Sequence, residues 1–256
     1  MRNFKFKVSY FGLPFYGFGI QKDVVTVQGE LEKAIKKVTA QKVRVHPAGR
    51  TDAGVHAAGQ IISFRLQTKL SPDKLKSALN AHLDDGIRII SGEEVNDQFH
   101  ARYSAKNRIY VYNLLVGEEC PFYLDAYVWH LRSKLDYKAM QRAAKLLIGR
   151  HDFSSFSIKE KDKNLVRLMQ KITFRERRVE SYLGNNDVLK VKLISITFKA
   201  NAYARGMIRG IVGSLVAVGQ KKISVPKFNE IFRAKDRTQA GKGAPGKGLS
   251  LVQVDY

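Results

Sequence analysis

The sequence predicts an α+β protein built from two similar halves. Segments in which apolar and polar residues alternate, as they do in half-buried strands, are interleaved with segments whose apolar residues recur at helical spacing. The second part of the chain returns to this order without a strict sequence repeat. A length of 256 residues suits one large domain or two small ones. We place the boundary near 103–107, which predicts an N-terminal domain of residues 1–104 and a C-terminal domain of residues 105–256.

In the first half, the alternation begins at once. Phe4, Phe6, Val8 and Tyr10 are separated by polar residues and predict a strand. The segments that follow predict a helix over 27–38, a short strand from Val43, a strand over 62–66 and a helix over 72–83. Ser71 stands directly before the second helix as a candidate N-cap, and Pro72 suits its first turn.

In the second half, the predicted elements are a strand over 108–116, a helix after Asp136 that Gly149 ends, helices over 203–218 and 225–234, a flexible glycine-rich loop over 241–248 and a last strand over 249–256. One strand carries an irregular pattern. Leu189, Val191 and Leu193 alternate with polar residues, and the phase then shifts by one at Ile194 and Ile196. A shift of one residue in a period of two predicts a β-bulge at this point.

The charge of the chain points to a polyanionic partner. Lysine and arginine total 45 and aspartate and glutamate total 23, so the formal net charge is +22. A surplus of this size opposes compaction and favours binding to nucleic acid, with an anionic membrane surface as the weaker alternative. The basic residues are spread along the chain, which indicates a folded basic surface rather than a basic tail.

The single cysteine, Cys120, excludes an intramolecular disulfide framework and a multi-cysteine metal site.

We find neither the apolar core of a signal peptide nor an apolar run long enough to span a bilayer. We therefore expect a cytoplasmic protein. His46 and His56 flank one loop, but no further ligand completes a metal site around them.

That loop carries the clearest chemical signal, a carboxylate between glycines in Gly49-Arg-Thr-Asp-Ala-Gly54. Residues i and i+2 of an extended segment point the same way, so Arg50 can lie near Asp52. A nearby cation keeps a carboxylate ionised, and an ionised aspartate suits a nucleophile or a base. An aspartate that only bonds the local backbone of a turn is the alternative that this spacing leaves open.

The longer string Ala48-Gly-Arg-Thr-Asp-Ala-Gly-Val-His-Ala57 resembles the signature of the TruA family of tRNA pseudouridine synthases. Further matches follow in the family's order and cover essentially the whole chain: YFGLPFYGFGIQ (10–21), TVQGELEKA (26–34), FHARYSA (99–105), GRHDFSSF (149–156), MIRGIVG (207–213) and PGKGL (245–249). The chain departs from the family's usual pattern where Gly-Trp-Gln is replaced by Gly17-Phe18-Gly19, and where the usual aspartate after Tyr10 is Phe11.

The resemblance implies a pseudouridine synthase fold, in which each half has a mixed, mainly antiparallel sheet with helices on one face and the active-site cleft lies between the halves. It implies that Asp52 is the catalytic residue, and that Arg50, Tyr110 and Arg209 bind the target nucleotide. It also implies a homodimer that isomerises uridine to pseudouridine at tRNA positions 38 to 40. The reaction conserves atoms and oxidation state, so no cofactor or metal is expected.

The residues support two of these roles only in part. On the predicted helix, Arg209 shares a face with Val212 and Val216, so it borders the buried side and needs a partner such as Asp52, or else extends to solvent. Tyr110 and Tyr112 both suit a strand, and only the resemblance selects Tyr110. Two other functions stay open: the same reaction on ribosomal RNA or a narrower set of tRNAs, and RNA binding without catalysis.

Overall fold

A computed structural model describes residues 1–159, 164–182 and 188–256. The chain divides into two compact units, Met1–Arg108 with Ser250–Tyr256 (unit 1) and Ile109–Leu249 (unit 2). The elements in chain order are β1 (Arg2–Tyr10), α1 (Val27–Thr39), β2 (His46–Pro47), β3 (His56–Leu66), α2 (Pro72–Asn80), β4 (Ile87–Val95), β5 (Asn107–Val116), α3 (Phe122–Asp125), β6 (Trp129–Leu131), α4 (Tyr137–Lys145), β7 (Gly149–Asp152), β8 (Val166–Tyr182), β9 (Val188–Ala200), α5 (Met207–Gly219), α6 (Val225–Ala234) and β10 (Leu249–Asp255). Sheets and helices are mixed throughout, so the α+β prediction is confirmed.

The sheet of unit 1 has the strand order β4-β1-β3-β10, and the short β2 pairs with β3. β1 runs antiparallel to both β3 and β4, whereas β10 runs parallel to β3. The register places Phe4 opposite Phe64, and these rings and that of Phe6 lie with centroids 5.4–6.0 Å apart. The apolar faces of α1 and α2 are buried as well, through residues such as Leu31 and Leu75.

The sheet of unit 2 has the order β5-β9-β8-β7, with β6 parallel to β5. The long β8 and β9 form an antiparallel pair that extends from Met169 opposite Ala200 to Tyr182 opposite Val188. Phe174 of β8 contacts Tyr137 of α4 edge to face at 5.7 Å. α4, α5 and α6 pack against one another and bury most of their apolar residues.

The predicted helix caps are confirmed. Ser71 accepts a hydrogen bond from the backbone N–H of Lys74, and Asp136 accepts one from Ala139. α5 begins later than the predicted Tyr203, at Met207, because Gly206 before it has a left-handed φ of 71° and interrupts the helical backbone.

The pairing of β9 with β8 does not have the bulge predicted at the phase shift of β9. β9 pairs with β8 without a break from Leu193 to Ile194, and the register of this pair shifts only near Met169. The apolar pattern changes phase because the strand is covered on both faces at this point. Val191 and Leu193 pack in a small cluster with Leu115 and Val128, whereas Ile194 begins the run that follows on the opposite face. The side chain of Leu189 lies outside the described residues.

The loop over 241–248 is packed and anchored rather than flexible. The backbone of Ala244 donates to the carbonyl of Arg209, and Ala244 is fully buried. A Cβ on Gly213 of α5 would lie 2.4 Å from the carbonyl oxygen of Lys242, so the helix and the loop touch backbone to backbone. Gly213 therefore has a packing role, and so does Gly210, where a Cβ would lie 2.2 Å from the carbonyl oxygen of Phe156.

The two units differ from the predicted domains in where the end of the chain belongs. Residues 250–256, assigned above to the C-terminal domain, lie in unit 1 because β10 pairs with β3. A Cβ on Gly59 of β3 would lie 2.3 Å from the carbonyl oxygen of Val252, which shows how closely the two strands pass. β4, β7 and β8 were not predicted, since they carry many exposed or polar residues and little alternation.

None of the helices within the described ranges is long and apolar enough to cross a membrane.

Candidate functional site

Asp52 lies in a loop of unit 1 that joins β2 to β3 and is fixed at both ends. The backbone of Ala48 donates to the carbonyl of Ile61 at 2.8 Å, and that of Val55 donates to the carbonyl of Asp52 at 3.2 Å. Gly54 takes a left-handed φ of 73° between them. The loop therefore closes a tight turn at Asp52, whose side chain is half-buried.

A buried hydrogen-bond network holds this loop from beneath. The hydroxyl groups of Tyr10 and Thr51 lie 2.8 Å apart, and the side-chain amide of Gln60 donates to the carbonyl of Gly49 at 2.8 Å. The amide of Gln60 also lies 3.4 Å from the Tyr10 hydroxyl. Burial raises the pKa of Tyr10 to about 12, against the smaller opposing effect of its hydrogen bonds. The phenol is therefore neutral at physiological pH and keeps its proton for hydrogen bonding.

The turn after β1 packs directly on the backbone of the same loop. Phe18 donates from its backbone to the carbonyl of Thr51 at 3.0 Å. A Cβ on Gly12 would lie 2.2 Å from the carbonyl oxygen of Val55, closer than real Cβ contacts come, so only glycine fits there. The backbone of Gly12 donates to Nδ1 of His56 at 2.9 Å, which gives this buried histidine a structural role.

Arg50 is exposed, and its side chain passes beside Gly19. A Cβ on Gly19 would lie 3.3 Å from both Cδ and Nε of Arg50. The departure from the family's usual turn thus lies against a predicted substrate-binding residue, and glycine leaves room for this side chain. The proximity of Arg50 to Asp52 stays a prediction.

A guanidinium group ties the start of the loop to the segment before β5. Arg108 is buried, and its Nε and Nη2 donate to the carbonyl of Ala48 at 3.2 and 2.8 Å. The same side chain donates to the carbonyls of Ala105 at 3.1 Å and Arg102 at 2.6 Å. One charged side chain therefore donates to three backbone carbonyls.

In unit 2, the structure separates the two candidate tyrosines of β5. Tyr112 is fully buried, its hydroxyl donates to the carbonyl of Pro245 at 2.8 Å, and its ring leaves no room for a Cβ on Gly248. Tyr110 is 7% exposed, and its ring meets that of Tyr203 edge to face at 5.1 Å. Tyr112 is therefore committed to packing, which favours Tyr110 as the ring that meets a ligand.

Arg209 lies on α5 of unit 2, half-buried as its helix face predicts. Its Nε donates to the carbonyl of Ala244 at 2.7 Å, so one partner of the guanidinium is a backbone carbonyl of the glycine-rich loop. This contact orients the guanidinium group at the glycine-rich loop. Pairing of Arg209 with Asp52 stays a prediction.

Sequence reasoning did not identify Tyr10, Gln60 and Arg108 as supports of the Asp52 loop. A signal exists for Gln60, because it stands in phase with the core-facing Ile62 and Phe64 of β3 and is itself fully buried. A polar residue at a core position requires a partner. Within the ranges that the structure describes, no three histidine, cysteine or acidic side chains lie together as a metal site would require.

We expect Tyr10→Phe to weaken the support of the loop. Removal of one hydroxyl from a buried pair leaves Thr51 without this partner and should lower the free energy of unfolding by about 1–3 kcal/mol. Because Thr51 adjoins Asp52, kcat should fall more than KM rises. Urea unfolding and steady-state kinetics measure both effects. Tyr16→Phe is the control, since Tyr16 lies in the same segment and is 61% exposed. Equal behaviour of the two variants would contradict the supporting role.

Comparison with known proteins adds an independent finding. The model of the family described as tRNA pseudouridine synthase matches residues 7–104 and 143–256. A protein of Thermoanaerobacter sp. (strain X514) named tRNA pseudouridine synthase A is 40% identical over 257 residues, which cover 100% of each chain. Proteins of the same name from Geobacillus sp. (strain WCH70) and Thermodesulfovibrio yellowstonii are 40% and 34% identical, and each match covers 100% of this chain and 98% and 100% of the relative.

Proposed function

Because the chain belongs to the tRNA pseudouridine synthase family and isomerises uridine in tRNA, we propose that its targets are the uridines at positions 38 to 40 of the anticodon stem-loop. The full-length likeness to proteins named tRNA pseudouridine synthase A carries this proposal. The loop that holds Asp52 supports it, because Gly54 lets the chain turn tightly there and buried hydrogen bonds hold the loop in place.

The reaction breaks the bond from N1 of uracil to C1′ of the ribose and forms a bond from C5 to C1′. The proton on C5 is lost and N1 gains one, so the product is an isomer of the substrate. We propose that the Asp52 carboxylate starts the exchange, by attack at C1′ or by removal of the 2′ proton. Both routes need an ionised, fixed carboxylate, and the double attachment of the loop supplies the fixed position.

We assign the binding of the target nucleotide to three further residues. Arg50 neighbours Asp52 in the chain and suits a phosphate of the flipped nucleotide. Tyr110 offers an aromatic ring for the detached base, and Arg209 contributes a positive charge that suits the same nucleotide. A target inside a paired stem must leave its stack first, which costs a few kcal/mol, and stacking on Tyr110 offsets part of that cost.

The proposed targets are tested by pseudouridine mapping. Purified protein is incubated with unmodified transcripts of tRNA and of ribosomal RNA, and the product is mapped at single-nucleotide resolution. Modification at positions 38 to 40 supports the proposal. Modification of other tRNA positions or of ribosomal RNA would overturn it, and would point to the turn around Gly19 as the source of altered substrate choice. RNA binding without any product would identify a binding protein instead.

The role of Tyr110 gives a separate prediction. Tyr110→Phe should keep the stacking ring and most of the binding, whereas Tyr110→Ala should lose roughly 1–3 kcal/mol of transition-state stabilisation in kcat/KM. Tritium release from C5 of labelled uridine in tRNA measures this. Tyr112→Phe is the control, because that ring is committed to the core and its change should alter stability alone. Full activity of the alanine variant would exclude Tyr110 from the site.

We also propose a cytoplasmic homodimer. Its tRNA substrate supports that compartment, and the family resemblance supports two subunits. Sedimentation equilibrium at micromolar concentration tests the second statement, and a monomer that retains full activity would refute it.

A further inference from the structure

A groove in unit 1 has no part in the site described above. It has a volume of about 620 Å³ and lies between the segment that precedes β2, the last residues of β3 and the segment 97–100. Ser63 and Arg65, which line it, are seven and nine residues along β3 from His56, where the Asp52 loop rejoins the strand. The other end of that loop, at Ala48, lies two residues after His46 of the groove, and Asp52 itself is six residues after His46.

The groove is basic. Lys42, Arg44 and Arg65 line it together with His46 and His100. Among its lining residues, Asp97 is the one that carries a carboxylate. Lysine and arginine at such a density fit the phosphates of a nucleic acid.

Aromatic and imidazole rings form a ladder at the edge of the groove. The rings of His46 and His100 lie 4.9 Å apart, and those of His100 and Tyr103 lie 4.5 Å apart at 37°. The guanidinium of Arg102 stands 5.6 Å from the centre of the Tyr103 ring. Tyr103 is nevertheless 77% exposed, so most of its ring area faces solvent and is open to a ligand.

The ladder is held in place by backbone contacts. Nδ1 of His100 accepts hydrogen bonds from the backbone N–H groups of Arg102 at 3.0 Å and Tyr103 at 3.4 Å. The backbone of Ala101 donates to the hydroxyl of Ser63 at 3.0 Å, which attaches the turn to β3. Partial burial, and next the electrostatic effect of the nearby His46, lower the pKa of His100, which favours the neutral ring. A fixed and exposed ring stacks a base at a small cost in conformational entropy.

We propose that this groove binds an unpaired nucleotide of the tRNA outside the target stem-loop, with its base on Tyr103 and its flanking phosphates on Lys42 and Arg44. The inference rests on the proposed function for the identity of the RNA. Stacking on an exposed aromatic ring beside a basic groove is the usual way in which proteins hold single-stranded segments. Tyr103 and the lysine and arginine side chains of the groove lie on other segments of unit 1 than the Asp52 loop, so this contact serves affinity and substrate choice rather than the reaction.

The test compares two RNAs, full-length unmodified tRNA and the isolated anticodon stem-loop. Filter binding gives Kd for each, and tritium release gives kcat. Tyr103→Ala should weaken the binding of full-length tRNA by about 5- to 100-fold, whereas Tyr103→Phe should stay within about twofold. Neither change should alter kcat or the Kd of the stem-loop. Phe122→Ala is the control, since Phe122 is 88% exposed in unit 2.

The charged part of the groove is tested by Arg44→Gln. Loss of one phosphate contact should lower the magnitude of the slope of log K against log salt by about 0.7–0.9 for full-length tRNA. Lys74→Gln makes the same change of charge on an exposed position of α2 outside the groove, and it should leave the slope unchanged.

Unchanged tRNA binding by Tyr103→Ala would overturn the inference, and so would an equal loss on both RNAs, because the residue would then act at the target. Thermal unfolding of each variant separates misfolding from lost contact, and Tyr103→Phe repeats the comparison with the ring retained. A failure of the proposed function looks different. In that case the wild type forms pseudouridine in tRNA away from positions 38 to 40, while Tyr103→Ala still weakens tRNA binding.

Discussion

Asp52→Asn is expected to abolish isomerisation while tRNA binding stays nearly intact. The amide matches the carboxylate in shape but is neither a nucleophile nor a base. A single catalytic group typically contributes about 10²–10⁴-fold, and we expect a loss of about 10³-fold or more. Affinity depends on many phosphate contacts along a chain of net charge +22. Replacement of one carboxylate by an amide should therefore change Kd by less than about threefold.

Tritium release from uracil C5 and filter binding, measured on the same preparation, separate these two effects. Asp85→Asn is the matched control, because it removes one carboxylate from unit 1 at a fully exposed side chain. Activity of Asp52→Asn above about a tenth of the wild-type rate would remove Asp52 from the catalytic role, since the loss would fall below that range. A parallel loss of tRNA binding would show that Asp52 holds the RNA or the fold instead.

Arg108→Met is expected to give the largest loss of stability. The substitution keeps an apolar stem but removes every donor to the carbonyls of Ala48, Ala105 and Arg102. A buried polar group without a partner costs about 1–3 kcal/mol, and with partial access of water to these three groups we expect about 3–5 kcal/mol in the free energy of unfolding. Because Ala48 begins the Asp52 loop, activity at low temperature should fall as well.

Urea unfolding and kinetics well below the transition temperature measure the two losses for Arg108→Met. Arg233→Met on α6 is the control, because that arginine is exposed and its loss should stay within about 0.5 kcal/mol. If Arg108→Met unfolds like the wild type, the three carbonyls are satisfied by water and the side chain does not hold the loop. A loss of stability without loss of activity would confine its role to the fold.

The sequence alone determined the chemistry of this protein and the class of its fold. The excess of lysine and arginine indicates a polyanionic partner, and this excess can be counted without knowledge of the fold. N-caps such as Ser71 and Asp136 accept hydrogen bonds from residues in the first turn of the helix, so they can be predicted from the local sequence. The Asp52 string is equally local, because neighbouring residues of one turn shape it.

The tertiary structure decided which residues meet across the chain. Periodicity shows that Tyr110 and Tyr112 share one face of β5, but only the packing of Gly248 against Tyr112 separates their roles. The same reason explains why the phase shift at Ile194 predicts a bulge that the pairing with β8 does not have, since a pattern along one strand does not reveal that both of its faces are covered. The supports of Asp52 are likewise distant in sequence: Tyr10 lies 41 residues from Thr51 and Arg108 lies 60 residues from Ala48. Contacts at such separation depend on strand order and register, which hydrophobic patterns leave unspecified.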